Sequence, residues 1–227
     1  MATTLQNLRD RARAAADMTG SSFVSDSEAN VWINQGLFEL YDLVVSAYED
    51  YFTSPAPTTL TIASGNIVSL PADFYKLRKL QYSASGTDGS YQPCKPFNLS
   101  DNFANGGADF YTAVWSNRRY RVMGDSLLIE PAASAPGSYL LHYVPAPTAL
   151  VSNSDEIPSS LSKFGWDEYI VLYVAERMLN KEESPSSDVR NLRGEIAGRI
   201  AQMSGNRQAD QAEQVADVGS RLNFWWG

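Results

Sequence analysis

Cysteine and histidine are almost absent from this 227-residue chain, which contains one residue of each, Cys94 and His142. A single cysteine cannot form an intrachain disulfide, and it cannot supply a zinc site built from several cysteines. The chain also lacks an apolar run of about 18 residues, the length that a membrane-spanning helix needs. Its first residues lack the apolar core of a signal peptide. We therefore expect a protein that is made and kept in a cytoplasm and has no membrane partner.

Signatures of catalysis and of nucleotide binding are missing as well. The phosphate-binding patterns G-x-G-x-x-G and G-x-x-x-x-G-K-[ST] do not occur. His142 lies in "YLLHYV", where strand alternation places it beside Leu140 and Val144, so we interpret it as a partly buried structural residue. Cys94 has no partner residue in a nucleophile motif and is predicted to be inert. A carboxylate pair for glycoside hydrolysis stays open, because such pairs are defined by distance in space. The sequence thus predicts no enzyme, no cofactor and no metal.

Positive charge is scarce, since 18 Lys and Arg face 26 Asp and Glu for a formal net charge of −8. This balance argues against a protein whose whole surface binds nucleic acid. Two local basic clusters interrupt it, in "FYKLRKL" and "SNRRYRV": Lys76, Arg78, Lys79, Arg118, Arg119 and Arg121. Four aromatic residues interleave them: Tyr75, Tyr82, Trp115 and Tyr120. Such interleaving is typical of a platform for single-stranded nucleic acid. The other interpretation is the solvated face of strands, with pairing to the acids of a neighbouring subunit.

Helical signals lie toward both ends of the chain. Residues 4–17 predict a short helix, and the capping-box spacing of Ser25 and Glu28 predicts the start of a long one. The prolines of "SPAP" at 54–57 are predicted to end it. The stretch "GWDEYIVLYVAERMLNKEES" predicts a further helix that packs against the long one. A last helix, from about Asp188, carries a single apolar stripe that thins past residue 206 into an arm.

Between these helices the pattern changes to short β-prone runs that are punctuated by turn residues. Two hairpins are predicted, at Gly65-Asn66 and at Gly124-Asp125, because glycine adopts the positive φ of primed turns. We predict an α+β fold, mainly an α-helical bundle with a β-rich inserted domain and an extended C-terminal arm. The predicted boundaries are 1–55 and 160–206 for the bundle, 56–159 for the β-rich insertion and connector, and 207–227 for the arm.

The segment "SRLNFWWG" at 220–227 places three large aromatic residues together: Phe224, Trp225 and Trp226. Each of them buries about 150–250 Å² when it is packed. Leaving all three in water favours association with another surface. The sequence leaves two alternatives open, since the rings can fold back on the chain's own bundle or dock on another protein.

Five segments, taken in order, resemble the head-to-tail adaptor (connector) proteins of tailed bacteriophages. They are "FVSDSEANVWINQGLFELYDLV", "SLPADFYKLRKLQY", "YRVMGDSLLIEPA", "LLHYVPAPTALV" and "GWDEYIVLYVAERMLNKEES". The resemblance runs from residue 4 to about 218. It lies in the combination of the long helix, the "LPADFY" entry to a strand and the "GW-E-Y" helix.

This resemblance implies a structural virion protein at the head-tail junction, synthesised in the host cytoplasm. It implies a homo-oligomeric ring, commonly dodecameric, that lies below the portal protein, joins capsid to tail and lets genomic DNA pass without specific binding. The implied partners are the portal, neighbouring copies and a tail or nozzle protein. In such adaptors the helical bundle builds the ring wall, and the C-terminal segment commonly reaches the portal.

The residues that this implication makes candidates for portal binding are Leu222, Asn223, Phe224, Trp225 and Trp226. The six cations of the two basic clusters become candidates for subunit or tail contacts. The alternative from another class of protein is a nucleic-acid or carbohydrate binding module that uses the aromatic and basic strands.

Overall fold

The computed structural model describes residues 3–83, 91–98 and 118–207, and these form an α+β architecture. The helices are α1 (Leu5–Ala15), α2 (Asp26–Ala47), α3 (Ser159–Lys163), α4 (Asp167–Lys181) and α5 (Ser187–Arg207). The strands are β1 (Thr58–Ile62), β2 (Ile67–Ser69), β3 (Phe74–Ser83), β4 (Gln92–Pro93), β5 (Lys95–Pro96), β6 (Arg119–Met123), β7 (Ser126–Glu130) and β8 (Gly137–Pro145). The predicted fold class is confirmed. The predicted arm, from residue 208 onward, lies outside the described residues.

Helix α2 begins where the capping-box spacing predicts. Ser25 Oγ accepts a hydrogen bond from the backbone N–H of Glu28 at 3.2 Å and so satisfies one of the unpaired donors of the first turn. The carboxylate of Glu28 has a different partner, because it accepts a hydrogen bond from Lys181 Nζ of α4 at 2.6 Å. One half of the capping box therefore caps the helix, and the other half ties two helices together.

The end of α2 comes earlier than predicted, at Ala47 rather than next to the prolines at 54–57. The residues after it form turns that bring aromatic rings back onto the bundle. Phe52 stacks on Tyr41 with ring centroids 4.1 Å apart, and the hydroxyl of Tyr51 donates to the carbonyl of Ser160 at 3.0 Å. These contacts pack the two rings against the bundle. A helix that continued past Ala47 would carry the rings away from it.

One apolar core joins helices α1, α2, α4 and α5. Its fully buried side chains include Leu5, Leu8, Ile33, Leu37, Leu40, Ile170, Val174 and Ile200. Helix α4 packs against α2, as predicted, and the two approach closely at Gly36, where an added Cβ would lie 3.0 Å from the ring of Tyr173. The predicted stripe of α5 is buried at Ile196, whereas Leu192, which the sequence places in the same stripe, is 50% exposed.

The strands form two four-stranded sheets, in the orders β1-β8-β3-β4 and β2-β7-β6-β5. Their inner faces share a second core that includes Leu80, Leu127, Ile129, Tyr139 and Leu141. The hairpin at Gly124-Asp125 is confirmed, with Met123 opposite Ser126 across the β6–β7 pair.

The other predicted hairpin is wrong. Strand β1 pairs with β8 in one sheet, and β2 pairs with β7 in the other. The turn at Gly65-Asn66, with Gly65 at φ +74°, instead carries the chain from one sheet to the next. A positive φ fits a corner between two sheets as well as it fits a hairpin, so the turn does not determine which strands pair. Packing the two sheets face to face buries the apolar side of each, and this favours the observed pairing.

Candidate interaction surfaces

The helical core and the sheet core meet at a junction between the end of α2 and the strands β3 and β8. Tyr41 and Val45 of α2 contact Val144 of β8 in a small third apolar cluster. The hydroxyl of Tyr41 donates to the carbonyl of Pro145 at 2.6 Å. Burial raises the pKa of Tyr41, so its hydroxyl stays protonated and able to donate. The junction therefore combines a small apolar contact with a directed hydrogen bond.

Two bulges in β3 shift its pairing with β8 next to this junction. The register skips Tyr75 between Phe74 and Lys76, and it skips Arg78 between Leu77 and Lys79. A bulge leaves the extra residue out of the ladder and re-aims its side chain. Both skipped residues contact α2 or the turn after it. The hydroxyl of Tyr75 donates to Asp42 at 2.5 Å, and the contacts of Arg78 follow below.

Two acids of the turn after α2 neutralise most of the first basic cluster. Lys76 Nζ lies 2.9 Å from Glu49 Oε1. Arg78 pairs with Glu49, and its Nε lies 2.7 Å from Asp50 Oδ1. The hydrogen bonds from Lys76 and then from Arg78 lower the pKa of Glu49. Lys79 is exposed, and no ion-pair partner for it lies among the described residues. Lys76 and Arg78 thus tie the insertion to the bundle within one chain.

Aromatic rings of the same chain hold two cations of the second basic cluster. The guanidinium carbon of Arg118 lies 3.0 Å from the ring centroid of Tyr82, and Nε donates to the carbonyl of Ser134 at 2.5 Å. Arg119 lies over Phe97 at 5.5 Å. Arg121 is half-buried, and no partner for it appears within the ranges that the structure describes.

These contacts weaken the nucleic-acid alternative. A single-strand platform needs ring faces on which bases can stack. Cations of the chain itself lie over the rings of Tyr82 and Phe97, and the hydroxyl of Tyr75 is bound to Asp42. Tyr120 is partly buried against the sheet core, and Trp115 lies outside the described residues.

An exposed apolar strip crosses the outer face of the second sheet. Ile67 of β2 lies opposite Leu128 of β7, which lies opposite Arg121 of β6. Ile67 is 62% exposed and Met123 is 46% exposed. The strip mixes apolar side chains with a cation, a composition that suits contact with another protein.

A buried ionic network fixes α5 to the bundle, and sequence reasoning missed it. Glu176 of α4 is buried, and its two carboxylate oxygens receive Arg190 Nε and Arg193 Nη2, each at 2.9 Å. Arg193 also lies over the rings of Tyr169 and Tyr173, at 5.5 and 5.2 Å. The only sequence signal is the placement of arginines on the flank of the α5 stripe. This network ties the first turns of α5 to α4.

A second polar lock connects α1 with the first turn of α4. Arg11 pairs with Asp167 at 2.6 Å and with Glu168 at 2.5 Å, and Thr3 Oγ1 donates to Asp167 at 3.1 Å. The helix dipole stabilises acids in the first turn of a helix, and this alone can explain why Asp167 and Glu168 stand there. The structure adds Arg11 as a partner, which lies 156 residues away in the chain from Asp167.

A groove of about 560 Å³ opens beside the junction, where the chain leaves β8 for the connector. Its apolar wall includes Phe52, Pro145, Pro147, Leu150 and Pro158. Asp155 and Glu156 stand at its rim. Asp155 Oδ2 accepts the backbone N–H groups of Val151 and Ser152, each at 2.8 Å, and these bonds lower the pKa of Asp155. Asp155 therefore keeps its negative charge well below neutral pH.

The single cysteine and histidine have structural surroundings. Burial raises the pKa of Cys94 to about 11. His142 is half-buried on the same face of β8 as Leu140 and Val144, as predicted. Across residues 3–83, 91–98 and 118–207, no three His, Cys, Asp or Glu side chains are grouped to hold a metal ion. None of the helices in these ranges is long and apolar enough to cross a membrane.

Within the described residues, the candidate interaction surfaces are the exposed apolar strip and the groove beside the ion-paired junction. The family model described as SU10 adaptor protein matches residues 3–221. The match spans nearly the whole chain, and the chain therefore belongs to the SU10 adaptor protein family. It is a structural adaptor of the bacteriophage virion, which confirms the resemblance to head-to-tail adaptors. No curated protein matches the chain.

Proposed function

We propose that copies of this chain form a closed ring, commonly a dodecamer, that lies below the portal, joins capsid to tail and leaves a central channel for DNA. The observation that carries the proposal is the adaptor-family match over residues 3–221. Family membership implies association with portal and tail components, and a ring is the arrangement in which one kind of subunit can connect two such parts.

In this proposal the helical bundle (1–55 and 160–206) builds the ring wall, and the insertion and connector (56–159) face the tail or the outside. Heterologous contacts between neighbouring copies close the ring. The six cations of the basic clusters are proposed subunit or tail contacts. Lys79 and Arg121 are the strongest of them, because the other four already have partners within the chain. The exposed strip at Ile67 and Met123 supplies the apolar part of such a contact.

The C-terminal arm (207–227) is the proposed portal anchor, with Leu222, Asn223, Phe224, Trp225 and Trp226 as its contact residues. The ionic network around Glu176 supports this role, because it holds the helix from which the arm leaves. Full burial of one large apolar side chain contributes about 1.5–3 kcal/mol, so a single arm binds weakly once ordering costs are subtracted. Repetition around a ring makes the joint strong, since each further arm binds at a high effective concentration.

The test is negative-stain microscopy of purified portal rings that are mixed with the full-length protein or with a protein truncated after Leu222. We expect the full-length protein to add a layer to the ring and the truncated one to add none. A full-length Phe224→Ala/Trp225→Ala/Trp226→Ala protein is the matched variant, and circular dichroism of each protein checks that the bundle is intact.

Two results would count against the proposal in different ways. Binding by both proteins would remove the anchor role of the arm and leave the portal connection standing. Binding by neither would refute the portal connection. Salt-dependent retention of the protein on single-stranded DNA would then favour the binding-module alternative.

A further inference from the structure

We propose that the groove beside the junction is a docking site for the aromatic segment 221–226 of the same chain, and that it holds this segment in the free subunit. This inference concerns the protein before it meets a portal. It therefore goes beyond the proposed function, and portal binding enters its test only to separate the two proposals.

The groove has the chemistry to hold aromatic side chains. Its wall is formed by prolines and by Phe52, which stacks on Tyr41 at 4.1 Å and is fixed by that contact. A preformed apolar wall binds rings without first having to order its own side chains. A volume of about 560 Å³ lies within the range of pockets that take drug-sized ligands, of roughly 300–1,000 Å³. The groove is thus large enough for more than one aromatic ring.

Charge complementarity identifies the occupant. The groove rim carries Asp155 and Glu156, and no cation pairs with either carboxylate in the part of the chain that the structure describes. Residues 208–227 contain one cation, Arg221, three positions before Phe224, and their three acids, Asp210, Glu213 and Asp217, all lie before the segment 221–226. A segment that places its rings against the prolines therefore brings its only positive charge close to the two acids.

The segment can reach the groove from where α5 ends. Arg190 contacts Glu176 of α4, whereas Arg193 contacts Tyr169, nearer the start of α4, and Glu39 of α2. Helix α5 therefore runs toward the first turn of α4 and the carboxyl end of α2, where the groove lies. From Arg207 to Phe224 an extended chain spans about 55 Å. A compact chain of this size measures roughly 45 Å across. Reach is therefore not limiting.

Tethering makes even a weak site effective. A tether of this length corresponds to an effective concentration of about 1 mM, so a segment with an intrinsic Kd of about 0.1 mM occupies the groove roughly nine-tenths of the time. Occupancy removes three large aromatic residues from water, where they would favour self-association. Any tighter site elsewhere then has to displace the segment from the groove.

The test is hydrogen exchange of the full-length protein, at a concentration where sedimentation shows monomers. Wild type is compared with two full-length variants. One is Phe224→Ala/Trp225→Ala/Trp226→Ala, which removes the rings, and the other is Ala149→Phe, which fills the groove at an exposed position. The control is Ala14→Phe, which adds the same ring to an exposed position of α1.

We expect peptides from 145–158 to exchange about tenfold faster when the rings are removed. We expect peptides from 220–227 to exchange about tenfold faster when the groove is filled, and to be unchanged in the control. Arg221→Glu should reproduce part of the effect at 145–158, since it reverses the complementary charge.

Equal exchange in all the proteins would overturn the proposal. Protection that appears only once the protein assembles would overturn it too, because the occupant would then belong to a neighbouring copy. A groove-filled variant that still binds portal rings would separate this site from the proposed anchor role, so the failure of one leaves the other intact.

Discussion

Gly36 and Gly198 are both interior helix glycines, yet their surroundings predict opposite effects of the same substitution. Alanine stabilises a helix interior by about 1 kcal/mol relative to glycine. At Gly198 of α5 an added Cβ meets nothing within 4 Å, so Gly198→Ala should raise the free energy of unfolding by about 0.5–1 kcal/mol. This variant measures the helix propensity alone.

At Gly36 the same methyl group enters a closed contact. Its Cβ would lie 3.0 Å from Cδ1 and 3.3 Å from Cγ of Tyr173. That ring is buried, and its hydroxyl accepts a hydrogen bond from Arg177 at 3.0 Å, so it cannot swing away. Overpacking of this kind costs about 1–3 kcal/mol, which exceeds the propensity gain. Gly36→Ala should therefore lower the free energy of unfolding by about 1 kcal/mol.

The two variants should differ by about 2 kcal/mol, or about 4–8 °C in Tm for a chain of this length. Urea unfolding followed by circular dichroism measures the difference, and an unchanged m-value shows that the unfolded state is the same. If both substitutions stabilise the protein equally, the close approach of α2 and α4 at Gly36 is wrong. The packing of the bundle would then have to be revised.

Three further predictions test the polar contacts. Glu176→Gln should lower the free energy of unfolding by about 2–3 kcal/mol, which denaturant titration measures. This loss is smaller than the full cost of breaking a buried ion pair, because the two arginines are partly exposed. The folded pKa of Glu49 is lowered, so its contribution is present above its unfolded value of about 4.3 and is lost as pH falls through the folded pKa. Between pH 5 and pH 3 the wild type should lose more of its free energy of unfolding than Glu49→Gln does. The difference should be less than about 1 kcal/mol, because the ion pair is exposed. Equal losses would contradict the ion pairs of Glu49 with Lys76 and Arg78. Cys94, with its raised pKa, should react with a thiol reagent at pH 8 far more slowly in the folded protein than in urea, and equal rates would show an open thiol.

The sequence predicted the helices and one hairpin because their signals are local. Ser25 and the apolar periodicity mark α2, and the Gly124-Asp125 turn lies between strands that are already neighbours. The pairing of β1 with β8 spans about eighty residues, and the sequence of neither strand indicates which strand it pairs with. The Gly65-Asn66 turn therefore predicts a hairpin, although it fits a corner between sheets equally well.

The candidate surfaces were harder to predict, because the relevant partners are remote in the chain. The sequence shows the cations of "FYKLRKL" but not the bulges that re-aim Tyr75 and Arg78 toward the end of α2. Bulge positions depend on how a strand bends around its neighbours, and a period-2 pattern carries no such information. For the same reason the groove, which is assembled from α2, the turn after it and the connector, has no signature in any one segment.

Charge is divided unevenly between the two parts of the fold, and this division bears on the proposed ring. The described part of the insertion and connector (56–83, 91–98 and 118–159) carries seven Lys and Arg against five Asp and Glu, a charge of +2. The described part of the bundle (3–55 and 160–206) carries nine against 15, a charge of −6. A wall along which DNA slides should repel phosphate, because each cationic contact with the backbone strengthens binding. The division therefore favours the helical bundle as the channel wall, and it places the cations on the part that is proposed to face the tail or the outside.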